Sequence, residues 1–405
     1  MLRANPTEKE QREFELATDR LIERARELVP RVRASADETE ALRRLPESTM
    51  ADVEVFMDAL VPKRWGGQGL GLRALCEVAR ELAHGDASTS WITSFFMEHS
   101  WMACRLPLET QEELFAERPY ILAAAPTAPT GRATRVDGGF RVSGTFRWAS
   151  CIWNGEWSFA TALVDDGDGR PMPHSMLVPT SDMTVNDDWF MSGMAGTGSA
   201  SFVLDDVFVP EGRSLPTLVF LSSDEHPGAV HEEAFMRYPL MPTISTMIAG
   251  IALGCGEACV DIVRERLPKS KVFGMTPRLE LPLSRVRWGT AYEQVRCARL
   301  LWTDTIERTI VKCDAMEPWS EAETGQLELD LVTVIQLSQQ AVGLLCDGIG
   351  SSVYQLSDPL QRYRRDVNVI ASHAFHEHDL VAERATRLIL GLGLNDNDPS
   401  LLPRT

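Results

Sequence analysis

Apolar residues recur at helical spacing over residues 8–28, where Phe14, Leu16, Leu21, Ile22, Ala25 and Leu28 form one stripe that stops before Pro30. More helix is expected over 36–60, and Pro62-Lys63-Arg64-Trp65-Gly66-Gly67 then reads as a loop. Leu75, Val78, Ala79 and Leu82 make the next stripe, closed by His84-Gly85. Asp86 and Ser88 are candidate N-caps for a helix that runs to about Cys104. Beyond residue 120 the period changes to two. Phe140 and Val142, then Trp157, Phe159, Thr161 and Leu163, alternate along strands, with a hairpin signal at Asp137-Gly138-Gly139 and a turn at 165–169. Phe202, Leu204 and Val207 to Val209 continue the strands as far as Pro210. After a loop rich in Asp, Pro and Gly around 222–230, windows at 240–265, 283–313, 321–348 and 360–390 carry 3.6-period stripes with few breakers. Four such helices in succession predict an antiparallel bundle, and no repeat of 20–50 residues is visible. The expected plan is α+β: an N-terminal α-helical domain over 1–119, a β domain over 120–215 and a C-terminal four-helix bundle over 216–405.

Composition narrows the partners more than the fold. With 405 residues, 44% hydrophobic and 24% charged, the chain is ordinary globular material of two to three domains. Forty Lys and Arg against 58 Asp and Glu leave a formal charge of −18, and no basic stripe offsets it, so nucleic acid is not an expected partner. The eight cysteines contain no C-x-x-C pair and mostly occupy apolar helical contexts, as buried thiols of a reducing compartment do. Residues 1–24 are charged throughout and hold no signal-peptide core. Tyr238 to Gly256 lacks charges, but two prolines, two glycines before its end and several hydroxyls dilute it, which suits a helix buried among helices better than a membrane span. A cytoplasmic protein without a membrane segment is expected.

Local chemistry singles out a few side chains. His99 shares a helical face with Trp91, Ile92, Phe95 and Met102. It reads either as a satisfied core histidine or as an imidazole lining a pocket against the β domain. The run His373-Ala-Phe-His376-Glu-His378-Asp379 resembles a metal cluster by composition alone. On a continuous helix, at about 100° per residue, His378 would point about 140° from His373 and about 160° from His376, so the three cannot converge on one tetrahedral ion. His373 then lies beside the stripe of Val367, Ile370, Ala371, Ala374 and Val381, while His376 and His378 are expected in solvent; no metal is expected. Gly193-Met-Ala-Gly196-Thr-Gly198-Ser199 precedes a strand rather than a helix, so it reads as a tight turn and not as a dinucleotide phosphate loop.

The order of elements, together with Leu60-Val-Pro-Lys-Arg-Trp-Gly-Gly67, Val78-Ala-Arg-Glu-Leu82, Ser88-Thr-Ser-Trp91, Val136-Asp-Gly-Gly-Phe-Arg-Val-Ser-Gly144, Trp148-Ala-Ser150, the Gly193–Ser199 segment and Asp205-Asp-Val-Phe-Val-Pro210, resembles the acyl-CoA dehydrogenase superfamily. The resemblance is closest to its two-component flavin-dependent monooxygenase branch, the oxygenase components of aromatic hydroxylases, and spans nearly the whole chain. It implies a middle domain of β-barrel type, a homotetramer or dimer built on the bundle, and a flavin held between the β domain, the bundle and a neighbouring subunit. It further implies that Trp148 packs against the isoalloxazine, that Ser150 meets flavin N5 or O4, and that Ala125, Pro126 and Thr127 lie along the ring edge. Phe273, beside Lys271, would reach a neighbour's flavin; His99 would stand near the substrate and His373 near flavin C4a. Two positions depart from the pattern: Ala195 replaces an arginine, and Ser270, between Lys269 and Lys271, replaces a basic residue.

A dehydrogenase on this fold needs a carboxylate base to take an α-proton. Where that glutamate usually follows Arg-Asp, the chain has Arg365-Asp366 and then Ala374, and alanine cannot take a proton. An oxygenase instead needs a dry aromatic pocket, a hydroxyl at N5 and an imidazole as proton donor. The expected function is therefore the oxygenase component of a two-component monooxygenase. It would use reduced flavin (FADH2 or FMNH2) from a separate NAD(P)H:flavin reductase, and O2, through a flavin C4a-hydroperoxide, to hydroxylate a phenolic or indolic small molecule. His99, His373 and Ser150 are the expected catalytic residues. An acyl-CoA dehydrogenase or oxidase, an amine N-oxygenase and a flavin-free scaffold remain as other readings.

Overall fold

A computed structural model describes residues 7–165 and 170–394; beyond Asp165, the turn expected at 165–169 lies outside the described residues. The N-terminal part contains α1 (Glu8–Leu42), α2 (Glu47–Val53), α3 (Leu72–Ala83), α4 (Ala87–Ala103) and α5 (Leu108–Leu114). Thr7 and Glu10 cap α1 reciprocally. Contrary to the expected stop before Pro30, α1 runs through it: Pro30 is solvent-exposed, while Leu28, Val32 and Ala36 stay buried on the other side. The carbonyl that loses its donor at Pro30 can hydrate, and the continuous apolar stripe offsets the proline penalty. Asp86 is the N-cap of α4, its carboxylate accepting the Thr89 N–H at 2.7 Å, whereas Ser88 lies inside the helix. Sixteen of the 17 residues of α4 are buried, which makes it the central helix.

Between 120 and 216 runs an eight-stranded mixed sheet: β1 (Ala123–Ala124), β2 (Gly131–Val136), β3 (Gly139–Ala149), β4 (Trp157–Asp165), β5 (Met172–Pro179), β6 (Thr184–Val185), β7 (Ala200–Pro210) and β8 (Ser214–Pro216). Its order is β6-β7-β3-β2-β4-β5-β8, with β1 adding in parallel to β4. Asp137 and Gly138 make the two-residue turn expected between β2 and β3, and Gly138 takes φ +75°. The expected alternation fails in β4, where Ser158 to Ala162 are all buried. The strand is a partition: Phe159 faces the helical core and packs on Phe220 at 5.3 Å between ring centroids, while Ala160, Ala162 and Val164 fill a separate core inside the sheet.

The remaining elements are α6 (Thr217–Leu221), α7 (Leu240–Arg266), a hairpin of β9 (Lys271–Val272) and β10 (Thr276–Pro277), then α8 (Pro282–Asp314), α9 (Glu321–Ile349), α10 (Pro359–Ala371) and α11 (His378–Ile389). The most apolar stretch of α7 is 83% buried and that of α9 56%, so both serve as core helices among other helices. Gly250 and Gly254 let α7 approach Trp302 and the Arg80 carbonyl, where a Cβ would collide. The N-terminal helices and the bundle share one hydrophobic core. The single helix expected over 360–390 is two helices, separated by a turn at residues 372–377. That break has a direct consequence for the histidines.

Candidate flavin and substrate site

The central helix α4 presents Trp91, Phe95 and His99 at four-residue spacing, one above another. Their rings are in register: Trp91 to Phe95 is 4.9 Å between centroids, and Phe95 to His99 is 5.1 Å. His373, in the turn between α10 and α11, stands 6.2 Å from Trp91. A row of four rings thus joins the two histidines. Because α4 is buried on nearly every side, no amphipathic pattern marks this face.

Each imidazole is held in one tautomer. His99 Nδ1 lies 2.5 Å from the Ala123 carbonyl, which can only accept, so Nδ1 carries the hydrogen and Nε2 the lone pair. Glu98 Oε2 sits 3.3 Å from that Nε2. Glu98 is 0% exposed, and among the described residues neither carboxylate oxygen has a hydrogen-bond partner. Burial raises its carboxyl to about 8 against the pull of Arg105, and burial lowers His99 to about 4 against its bond to Ala123. Both are therefore neutral at pH 7. His373 Nδ1 accepts the Phe375 N–H at 3.3 Å, which leaves the hydrogen of the neutral ring on Nε2. Burial holds His373 below its usual range.

Ser150 follows the end of β3 and accepts the Trp91 Nε1–H at 3.2 Å. Its Oγ is 2.7 Å from Ser199 Oγ, which is 2.7 Å from Thr197 Oγ1. Thr197 belongs to the glycine-rich turn, wedged where a Cβ on Gly193 would collide with the Arg365 carbonyl. Within it Met194 adopts φ +52°, and its N–H donates to Asp366 Oδ1 at 2.6 Å. Burial and the nearby Asp86 push Asp366 up to about 7. Trp148, two residues before Ser150, lies 5.5 Å from Trp189 and is 55% exposed, a flat apolar face open to a ligand.

Of the residues expected at the site, His99, His373, Ser150 and Trp148 converge on α4 and the end of β3. Ala125, Pro126 and Thr127 follow directly on β1, which His99 anchors through Ala123. Lys271 and Phe273 do not join them within the chain; they lie on the β9–β10 hairpin, where Phe273 is 91% exposed at φ +52°. Beside them Arg278 donates from Nε to Ser270 Oγ at 3.2 Å, so a guanidinium stands where Ser270 supplies no charge. Two expectations need correction. His376 is buried rather than solvated, and Ala374 is exposed rather than part of an apolar stripe, because residues 372–377 are not helical. For the same reason the helical angles among the three histidines do not apply. Among the described residues no group of three His, Cys, Asp or Glu is arranged to hold a metal. Thr197, Ser199, Glu98 and Asp366 were not expected at the site. Only the hydroxyls in a glycine-rich turn hinted at the first two, and the Arg-Asp pair at the last.

Residues 243–378 match the model of the acyl-CoA dehydrogenase C-terminal domain. A pigment production hydroxylase of Rhodococcus sp. is 31% identical over 95% of this chain and 99% of its own. The chain belongs to the flavin-dependent oxygenases of the acyl-CoA dehydrogenase superfamily. An FADH(2)-dependent resorcinol hydroxylase oxygenase component of Rhizobium sp. is 32% identical over 92% of this chain and 94% of its own. XiaF from Streptomyces sp., solved in complex with FADH2 and glycerol, superposes with a TM-score of 0.89 at 27% identity, covering 96% of this chain and 99% of that one. The site residues fit the flavin of this oxygenase family. Trp148 offers an open aromatic face, Ser150 Oγ keeps an unfilled position beside the Trp91 N–H, and His373 Nε2 carries the ring hydrogen with no partner among the described residues.

Proposed function

We propose that this flavin-dependent oxygenase works with a separate NAD(P)H:flavin reductase and hydroxylates a phenolic or indolic small molecule. The observation that carries this reading is the row His99–Phe95–Trp91–His373 with Ser150 bonded to its third ring. Reduced flavin, FADH2 or FMNH2, supplies O2 activation when bound. Trp148 would pack on its ring, residues 125–127 would line its edge, and Ser150 would meet N5. His373 would hold a proton at Nε2, aimed as a donor where oxygen is bound. His99, with its lone pair on Nε2, would accept from the substrate hydroxyl and orient it. Trp91 and Phe95 exclude water between the two polar ends. Domain limits of 1–119, 120–215 and 216–405 are supported by the change from helix to strand between α5 and β1 and by the change back to helix after β8, whose last residue, Pro216, lies just past the second limit.

The projecting hairpin with Lys271 and Phe273, and the exposed Leu283, Val286 and Leu300 on α8, support a homotetramer or dimer in which the hairpin reaches a neighbour's flavin. Cytoplasmic residence is supported by eight free cysteines, seven of them buried. The test is to mix anaerobically reduced FMN or FAD with the protein, add O2 and follow stopped-flow absorbance. Slow reoxidation with a persistent near-ultraviolet band is expected, and His373→Ala should accelerate its decay by about 10²-fold or more. Reoxidation at the rate of free flavin, or anaerobic bleaching of oxidised flavin by an acyl-CoA, would overturn the reading.

A further inference from the structure

Four oxygens in a line decide which way the Ser150 hydroxyl points. Thr197 Oγ1 is 2.8 Å from the Met194 carbonyl. Without a hydrogen between them two oxygens at that distance repel, and the carbonyl has none to give, so the Thr197 hydrogen lies on this contact. Thr197 Oγ1 can then only accept from Ser199, 2.7 Å away, which consumes the single Ser199 hydrogen. Ser199 Oγ in turn can only accept from Ser150, also at 2.7 Å. The Ser150 hydrogen is thereby turned inward. One of its lone pairs takes the Trp91 Nε1–H at 3.2 Å, and the other remains toward the half-open side of the residue.

The anchor of this chain is itself fixed. The Met194 carbonyl also receives the Trp189 Nε1–H at 3.1 Å and the Thr197 N–H at 3.1 Å, and the Met194 N–H is tied to Asp366 on α10. Rotating the Thr197 hydroxyl the other way would leave Thr197 and Met194 oxygens facing each other. The polarity is thus imposed by a backbone carbonyl that three donors and one buried carboxyl hold in place.

We propose that Thr197 and Ser199 are positioning residues that make Ser150 an acceptor only, and that this hydroxyl chain selects reduced over oxidised flavin. The inference rests on the reading that Ser150 faces flavin N5. Reduced flavin carries a hydrogen on N5 and can donate to Ser150; oxidised flavin has a lone pair there and meets another lone pair. A protein that receives its flavin from a separate reductase gains direction from such a contact: the reduced form is captured, and the oxidised form is released.

The experiment is anaerobic titration of the protein with reduced FMN or FAD, and aerobic titration with the oxidised form, giving the ratio of the two dissociation constants. Ser199→Ala removes the acceptor for the Ser150 hydrogen, which can then turn outward toward N5. The preference for reduced flavin should fall by about tenfold, roughly one hydrogen bond. Thr197→Val should lower the ratio in the same direction, and Thr197→Ser, which keeps the hydroxyl, should retain it. Ser150→Ala should weaken reduced flavin alone. If Ser150→Ala leaves both constants unchanged, Ser150 does not face N5 and the underlying placement fails. If Ser150→Ala lowers the ratio while Ser199→Ala and Thr197→Val preserve it, the placement stands and the hydroxyl chain is refuted.

Discussion

At the scale of single residues, a backbone contact fixes which nitrogen of His99 and of His373 carries the hydrogen. His99 gives its hydrogen to Ala123, and Glu98, shut away from water beside it, keeps its own proton. That has a measurable consequence for pH. The unfolded Glu98 carboxyl releases its proton near 4.5, the folded one at about 8. Between those values the folded state binds the extra proton, so the contribution of Glu98, complete at acid pH, is lost as pH rises through the window. Glu98→Gln cannot titrate. Its melting temperature relative to the wild type should therefore climb from about pH 5 to about pH 8 and level off above, the stability difference growing by up to about 1.4 kcal/mol with each step of one in pH. The lowering of His99 acts in the opposite sense at lower pH but is common to both proteins. A difference in melting temperature that stays constant across pH would show that Glu98 is not neutral in the folded protein. His99 and His373 could be singled out from the sequence because their residue types carry chemistry. Glu98 could not, since a glutamate on an all-buried helix looks like any other glutamate until its surroundings are known.

At the scale of elements, the helices that carry the site are locked together by charge as well as by apolar packing. Arg80 on α3 is buried and reaches Glu257 on α7 at 2.6 Å and Glu77 at 2.9 Å, with Glu81 also in contact; Arg299 on α8 reaches Glu77 at 3.1 Å. Burial opposes ionisation of Glu257, but His84, Arg80 and Arg299 outweigh it and hold that carboxyl down at about 2. Arg80→Ala would leave buried carboxylates without their central cation and should cost about 3–5 kcal/mol, read as a fall in denaturation midpoint. A loss below about 1 kcal/mol would mean that the acids pair adequately without it. Two element boundaries were legible from a cap or a turn residue: Asp86 before α4 and Gly138 in the hairpin. Others were misread at Pro30, where burial of Leu28, Val32 and Ala36 outweighs a breaker, and at 372–377, where the chain turns without glycine or proline. In both places long-range packing, which a local pattern does not contain, settled the backbone.

At the scale of the whole molecule, the two cores meet along β4, and the row of rings on α4 lies in the larger of them. The hairpin between α7 and α8 projects away from both, carrying Phe273 and Met275 into solvent. If that hairpin completes a neighbour's flavin site, Phe273→Asp should weaken reduced-flavin binding by about tenfold or more, without lowering the melting temperature of the flavin-free protein. Equilibrium titration and sedimentation of the same sample would check this, and unchanged flavin affinity would remove the hairpin from the site.

The α, then β, then α order, the long bundle helices and the resemblance on Trp148-Ala-Ser150 and its companion segments were written in the sequence alone, because periodicity and capping are local properties. Tertiary structure alone decided which of two nitrogens on each imidazole carries a hydrogen, that His376 is buried, and that Ser150 is an acceptor. Those outcomes depend on a carbonyl of β1, a turn between two helices, and a backbone oxygen that lies 44 positions beyond the serine in the chain. Hydrogen-bond direction is set by which partner can give and which can only take, and folding brings those partners together from distant parts of the chain.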